Sequence, residues 1–320
     1  MKTIEELKKF YETELLSSLE VLEVGRKGVS RECVITLVVA AVIGLVVVGG
    51  LLLTGSFNPI LLIVFGVALP LVVASGYCFF LSKGYVSGFK QLIIARLVKF
   101  IDEGLTYDAK GFIDKPTFMF SQIFKIGPNK YKGDDLVEGT IGKTKIRFCE
   151  LDAKYESGSS KNRTVKTVFK GLFFIGDFNK HFKGQTVVLP DNAEKLFGRL
   201  GQKLQVMNFT RRQLIKMDDP DFEKHFVVYG NDQIEARYIL STSLMSKIVD
   251  LKNRTKKEIY LSFVGSMVFV AISYRKNLFE PRVFRTLLDF EPIQEYFEDL
   301  QMAIGIVEDL NLNRRIWTKQ

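Results

Sequence analysis

The chain opens on a helical rhythm. Ile4, Leu7, Tyr11, Leu15, Leu19 and Leu22 recur at spacings of three and four, which places them on one apolar stripe of a helix covering residues 3–24. Thr3 followed by Glu6 fits a reciprocal N-terminal cap. Glu5, Glu12, Glu14, Glu20 and Glu23 make the opposite face acidic. Helices that lie on a membrane surface carry basic polar faces, so this one is expected to pack on protein, either its own domain or another subunit.

The rhythm then gives way to unbroken apolarity. Residues 33–82 include no charged side chain. Within them, residues 33–53 and 60–81 are rich in Leu, Val and Ile, and each is of the length, about 20 residues, that crosses the hydrocarbon of a bilayer. Residues 54–59 (Thr-Gly-Ser-Phe-Asn-Pro) are turn formers, and Pro59 suits the first position of the second helix. A turn that short joins two antiparallel spans, so the pattern predicts a transmembrane hairpin. A cleaved signal peptide is disfavoured, because the apolar run starts late and a second run follows it. Pro70 is expected to kink the second span. Ala40, Gly44 and Gly66 are small enough to let the helices approach closely, with oligomer contacts as a further use. Basic residues flank both outer ends (Arg26, Lys27 and Arg31 before; Lys83, Lys90, Arg96 and Lys99 after), and the connecting turn carries none. By the positive-inside rule, both termini and everything after the hairpin are expected in the cytosol.

Beyond the hairpin the helical pattern continues to about residue 105, as a stalk, and residues 106–134 read as irregular chain with a short helical piece at Phe118. The period then falls to two. Residues 136–141 and 144–155 read as strands about a Gly142-Lys143 turn, followed by strands at 164–178 and 185–189. Helices are expected at 190–203, after Asp219-Pro220, at 243–251, at 281–288 and at 293–310, with a short strand at 226–229 and a hairpin about Gly265-Ser266. The chain therefore divides into an N-terminal helix (1–32), the hairpin (33–82), a stalk and connector (83–134) and a soluble domain (135–320), with a further division near 208–218. The fold class is α+β: mainly antiparallel strands with packed helices, on a two-helix transmembrane hairpin. The sheet over 136–189 is expected to resemble a pleckstrin-homology-like half barrel.

Charge sharpens the picture. The first 32 residues hold six basic and seven acidic side chains, so the net charge of +9 is carried entirely by the chain after the hairpin. A basic domain tethered at a bilayer lies near anionic headgroups, where each basic residue contributes about 1 kcal/mol. Two stretches are densest: Lys161, Arg163, Lys166 and Lys170; and Lys247, Lys252, Arg254, Lys256 and Lys257. They are candidates for a lipid or partner surface, against the plainer reading of a solvated face. Nucleic acid is disfavoured, because the aromatics fall in apolar strands and not beside the charges as stacking platforms.

Candidate chemistry is sparse. Cys33, Cys78 and Cys149 build no disulfide framework, and the two histidines, His181 and His225, are too few for a multi-histidine metal centre. Gly139-Thr-Ile-Gly142-Lys143-Thr144 lacks the leading glycine of a phosphate loop, whose place is taken by Val137, and is followed by a strand where that loop needs a helix. Asp218, Asp219, Asp221 and Glu223 suit helix capping better than a calcium loop, which needs a mid-loop glycine. Neither histidine neighbours a nucleophile elbow. The residues name no catalytic, cofactor or metal site. They favour a binding or scaffolding module over the alternative, a membrane-tethered enzyme working through carboxylates and lysines.

Several strings are distinctive together: Phe169-Lys-Gly-Leu-Phe173, Lys183-Gly-Gln-Thr-Val-Val-Leu-Pro-Asp191, Asp219-Pro-Asp-Phe-Glu-Lys-His-Phe226, Asp232-Gln-Ile-Glu-Ala-Arg-Tyr-Ile-Leu240 and Tyr296-Phe-Glu-Asp-Leu300. With the two-span layout they resemble an uncharacterised bacterial membrane family, domain of unknown function 3137. The resemblance implies a multi-pass protein of the bacterial inner membrane and implies no activity. It also suggests, as a partner, a small membrane-anchored helical protein of the LemA type.

Overall fold

The structure, a computed structural model, describes residues 2–53, 55, 58–159, 162–179, 181–191 and 213–312. The helix expected at 190–203 lies outside them from residue 192 onward. The chain forms two compact units, one made of Lys2–Leu97 with Phe279–Phe297, the other of Val98–Leu278 with the chain from Glu298.

The first unit holds α1 (Ile4–Leu53) and α2 (Pro59–Ile101) as far as Leu97; among the described residues these are the two helices long and apolar enough to cross a membrane. The Thr3 hydroxyl accepts from the Glu6 amide at 3.1 Å, and the Thr3 amide donates to Glu6 Oε2 at 2.8 Å, closing the reciprocal cap. Leu7, Tyr11, Leu15, Leu19 and Leu22 are buried, as their spacing predicts, whereas Ile4 at the end of the stripe is exposed. The N-terminal helix and the first apolar run are one continuous helix, widened by a π turn at Tyr11–Leu15. Asn58 caps α2 by accepting from the Ile60 amide at 3.0 Å, with Pro59 at the first position. Only 11% of the most apolar stretch of each helix is buried, which separates them from the core helices of a water-soluble domain. Ahead of Pro70 the helix widens into a π turn, Val64–Ala68. The wider turn accommodates a ring that would otherwise strike the carbonyl four residues back, at Gly66. Gly44 and Gly66 meet where α1 and α2 pack: a Cβ on Gly44 would overlap the Gly66 carbonyl oxygen, and one on Gly66 would overlap the Val48 side chain.

Residues 281–288, expected as a helix, are not helical. The physical reason is tertiary. Their backbone groups bond to side chains of α1: Arg26 donates to the Val283 carbonyl at 2.8 Å, the Leu287 amide donates to Glu23 at 3.1 Å and Tyr11 donates to the Leu288 carbonyl at 2.6 Å.

The second unit is built on one antiparallel sheet. Among the described residues it has nine strands: β1 (Leu105–Asp108), β2 (Lys130–Ile141), β3 (Thr144–Ser157), β4 (Thr164–Asp177), β5 (Gln185–Pro190), β6 (Gln213–Ile215), β7 (Phe226–Gly230), β8 (Ile259–Val264) and β9 (Met267–Ser273), in the order β1-β2-β3-β4-β9-β8-β5-β7-β6. Ile141 pairs with Thr144 across the Gly142-Lys143 turn, and Val264 with Met267 across Gly265-Ser266, as predicted. Three features differ from expectation. The connector contains, besides the helical piece expected at Phe118, which is α3 (Lys115–Phe120), the unexpected β1 and the start of β2. The strands of 136–189 do not close among themselves, because the β8–β9 hairpin sits between β4 and β5. Strands from either side of 208–218 share the one sheet.

The remaining helices among the described residues are α4 (Pro220–Glu223), α5 (Gln233–Ile239), α6 (Thr242–Thr255) and α7 (Phe290–Asp309). One face of the sheet is a core of Cys149, Leu151, Phe169, Phe173, Phe269 and neighbours, against which Ile113, Phe118, Ile123 and Phe124 pack. Alternate residues of the same strands, such as Phe148, Leu172 and Phe174, are also buried, so both faces are covered.

Candidate functional site

The two basic stretches meet different fates. In the helical one, the fold itself uses most of the charge. Arg254 bonds both carboxylate oxygens of Asp309, Lys252 lies 3.7 Å from Glu258 and donates to the Lys257 carbonyl at 2.8 Å, and Lys247 donates to the Glu308 carbonyl at 3.4 Å. Lys256 ends α6 in a left-handed conformation, and the Lys257 ammonium sits over the Tyr274 ring at 5.3 Å. In the strand stretch, Arg163 pairs with Glu156, and Lys161 lies outside the described residues. Lys166 and Lys170 instead line a cleft of about 400 Å³.

This cleft is assembled from the end of the sheet and the segment after α3. Tyr155 on β3 is the cross-strand neighbour of Lys166 on β4. A register shift beyond Ala153–Phe169 leaves Val168 as the extra residue, and such bulges re-aim side chains at sheet ends. Tyr260 of β8 and Ser273 to Arg275 at the end of β9 supply the far wall. The floor is aromatic. Phe124 packs against Phe169 and Tyr260 at ring separations of 5.1 and 5.4 Å, tilted by 37° and 50°. Burial pushes the Tyr260 hydroxyl up to about 12, with the charge of Glu258 adding to it and a hydrogen bond with Ser273 opposing it. Tyr274 is raised too, by burial and then by Asp299. Both phenols therefore stay neutral donors at physiological pH. The charged lining is Lys125, Lys166, Lys170 and Arg275, and it holds no carboxylate. Asp152, across from Lys170 in register, is engaged by Lys154 at 2.6 Å.

A second cleft, of about 540 Å³, lies at the other end of β2 and β3. There Lys145 and Arg147 are matched by Glu138 and Asp177, so charge is balanced within the lining. Asp134, Asp135 and Glu150 bring carboxylate oxygens within 4.8 Å of one another. That is an oxygen set of the kind suited to magnesium, calcium or manganese. The protein's own groups already engage it: Tyr107 donates to Asp135, and the Leu278 amide donates to Glu150 at 2.9 Å. Cys149, the chain neighbour of Glu150, is fully buried in the apolar core, and burial pushes its thiol up to about 12, which removes it as a nucleophile.

The remaining motifs behave structurally. Asp219 caps α4 by accepting from the Asp221 and Phe222 amides at 3.0 Å, Asp218 pairs with Arg237 at 2.6 Å and Glu223 accepts from the Met217 amide at 2.8 Å. His181 reaches the Ser266 hydroxyl at 3.3 Å on an exposed hairpin turn.

In the first unit, the sequence gives no local sign of a group of buried charges. Glu23 and Arg26 form a buried bidentate pair at 2.7 Å. Hydrogen bonds from Arg26, then from the Leu287 amide, hold Glu23 down to about 2 against the opposing effect of burial. Lys90, also buried, meets Glu280 at 2.8 Å.

Comparison with known proteins places part of this chain. Residues 167–312 match the profile of a family described as a protein of unknown function, DUF3137, the same family that the sequence strings resemble. The match includes the cleft residues from Thr167 onward, whereas Phe124, Lys125, Ile126, Tyr155 and Lys166 lie outside it. No curated protein matches the chain. Among solved structures, the crystal structure of the mycobacterial trehalose monomycolate transport factor A, TtfA, is similar at a TM-score of 0.34 and 10% identity, over 66% of this chain and 95% of that one. A likeness that loose carries no inference about this chain.

Proposed function

We propose that this protein is a membrane-anchored binding module. Its helical hairpin spans the bacterial inner membrane, and the sheet unit works on the cytosolic side. The long uncharged stretches, mostly unburied, support the anchor. The basic residues on the outer flanks and their absence from the connecting turn support the orientation,. The observation that carries the binding role is the cleft beside Lys166 and Lys170, where four basic side chains share one lining without a carboxylate. Like charges placed together repel, and Lys166, Lys170 and Arg275 have no carboxylate partner among the described ion pairs, so an array of this kind is stabilised by an anion that arrives from outside,.

Protein partners follow from the same anchor. A LemA-type membrane protein is the one that the family resemblance suggests. Self-association is the other, and it would use a helix face other than Gly44 and Gly66, which already pack within the hairpin. The test is a crosslinked pull-down of tagged full-length protein from native membranes, with a variant lacking residues after Lys130 as control. The module reading expects a protein or lipid recovered with the full chain and lost with the truncation. Identical recovery from both would overturn it.

A further inference from the structure

We propose that the cleft between Phe124, Lys166, Lys170, Tyr260 and Arg275 binds an anionic amphiphile, a phosphate head joined to an alkyl body. The inference deepens the binding-module reading and rests on it.

The head is argued from charge. Lys166 and Arg275 are exposed and Lys170 is half-buried, and all three line the one cleft with Lys125. Asp152 and Glu156, on the strand beside Lys166 and Lys170, are engaged elsewhere, Asp152 by Lys154 and Glu156 by Arg163 and Lys130, while Glu258 and Asp299, whose charges act on Tyr260 and Tyr274, stand outside the lining. One carboxylate would leave most of this charge uncompensated. A phosphate monoester, carrying about −1.5 to −2 at neutral pH and three acceptor oxygens, answers more of it. The hydrogen-bonded hydroxyls of Tyr260 and Ser273 add a neutral polar pair on the same wall.

The body is argued from what the floor lacks. Phe124, Ile126, Val168 and Phe169 offer apolar surface, yet no Asn, Gln, Asp or Glu stands in the lining. A nucleobase is recognised through hydrogen bonds to its edges and by stacking on a flat platform. Here there is no side-chain amide or carboxylate to read an edge, and the floor rings are tilted against each other. A featureless chain fits such a floor. The volume, about 400 Å³, falls in the range of small-ligand sites, roughly 300–1,000 Å³.

The amphiphile has two sources, a bilayer phospholipid or a soluble alkyl phosphate, and photolabelling separates them. Full-length protein in phosphatidylcholine nanodiscs is irradiated with a diazirine-bearing dodecyl phosphate added from solution. In a second arm, a phosphatidic acid with its diazirine near the headgroup is built into the disc. Adducts are mapped by mass spectrometry. We expect labelling on peptides bearing Phe124, Phe169 or Tyr260 in at least one arm. It should fall at least tenfold in Lys166→Glu/Lys170→Glu and stay within twofold in Lys110→Glu/Lys216→Glu, which has the same net charge. Labelling in the solution arm alone assigns a soluble ligand, and in the disc arm alone a lipid. Arg275→Gln, a single exposed change, gives the same test if the double variant misfolds, with an expected loss of severalfold. No adduct in the cleft, equal loss in the charge control, or equal labelling by diazirine-bearing dodecanol each overturns the proposal. If a partner is still recovered in the pull-down, only the ligand assignment falls. If none is, the module reading falls with it.

Discussion

Two groups of charged side chains in this protein differ in what surrounds them. In the helical unit, Glu23 and Arg26 are buried together, and every strong bond they make is returned: the guanidinium to the carboxylate and the Val283 carbonyl, the carboxylate to the Leu287 amide. In the sheet unit, Lys166, Lys170 and Arg275 gather over an aromatic floor with no acid in the lining. The first arrangement is self-sufficient, and the structure it holds is the open segment 281–288. The second is incomplete on its own. Buried pairs are therefore read here as structure and unmatched arrays as a place for a ligand, a distinction that mutation can test from both sides.

The largest effect is expected at Arg26. Arg26→Ala leaves the Glu23 carboxylate buried with only the distant Lys27, at 3.9 Å, as a basic neighbour. Removing one partner of such a pair costs about 2–3 kcal/mol. The expected readout is faster hydrogen exchange at the Leu287 amide together with a lower melting temperature. Glu23→Leu/Arg26→Met, which removes both charges, should recover at least half of the loss, since a buried pair replaced by apolar side chains of similar size is often nearly neutral. If the double variant melts as low as the single one, the pair is more than self-sufficient and the comparison is wrong.

Acid should dismantle the same pair in a defined window. The carboxyl of Glu23 is depressed in the folded chain, from 4.5 to about 2. Its contribution is thus fully present above pH 4.5 and lost as pH falls from there towards 2. The stability gap between the native chain and Arg26→Ala should close over that interval, and a gap still open at pH 2 would assign the effect to packing. A smaller effect is expected at Glu280. This carboxylate is about a third exposed, whereas its partner Lys90 is 5% exposed. Glu280→Ala takes a carboxylate from the buried ammonium and should cost about 1–2 kcal/mol,. Lys90→Met should cost less, because the carboxylate left behind can rehydrate. Melting of the two variants side by side reads the asymmetry.

The parts of this architecture that were legible in the sequence are those governed by near neighbours. The stripe from Leu7 to Leu22, the cap at Thr3, the uncharged runs and the two hairpin turns all follow from spacing within a few residues. Segment 281–288 did not, because the groups that open its backbone sit on Tyr11, Glu23 and Arg26, up to 277 positions away. Propensity favoured a helix there, and tertiary hydrogen bonds outbid it. Arg26 and Lys90 were visible only as flanking positive charge, since a partner such as Val283 or Glu280 leaves no local trace. β1 was missed because four residues carry too little alternation to signal a strand. In the candidate cleft, Lys166 and Lys170 were legible as basic residues. Their grouping with Tyr260 and Arg275 was not, because it depends on β9 pairing with β4.

The smallest effect on stability is expected in the cleft, and its size is the point of the contrast. In Lys166→Ala/Lys170→Ala no ion pair is broken, since neither ammonium has a carboxylate partner among the described ion pairs. The long stems lose some packing at the cleft lining, and the remaining cations repel less. The two contributions oppose each other, so the net change should stay within about 0.5 kcal/mol and melting should hold or rise slightly. Relief of repulsion fades as salt screens it, so any gain should shrink between low salt and 1 M, where the Debye length is about 3 Å. A loss as large as that at Arg26 would mean that these lysines hold the fold together, and the distinction between the two regions would collapse. A neutral melt with binding abolished would place the two lysines where the unmatched array puts them, on the ligand.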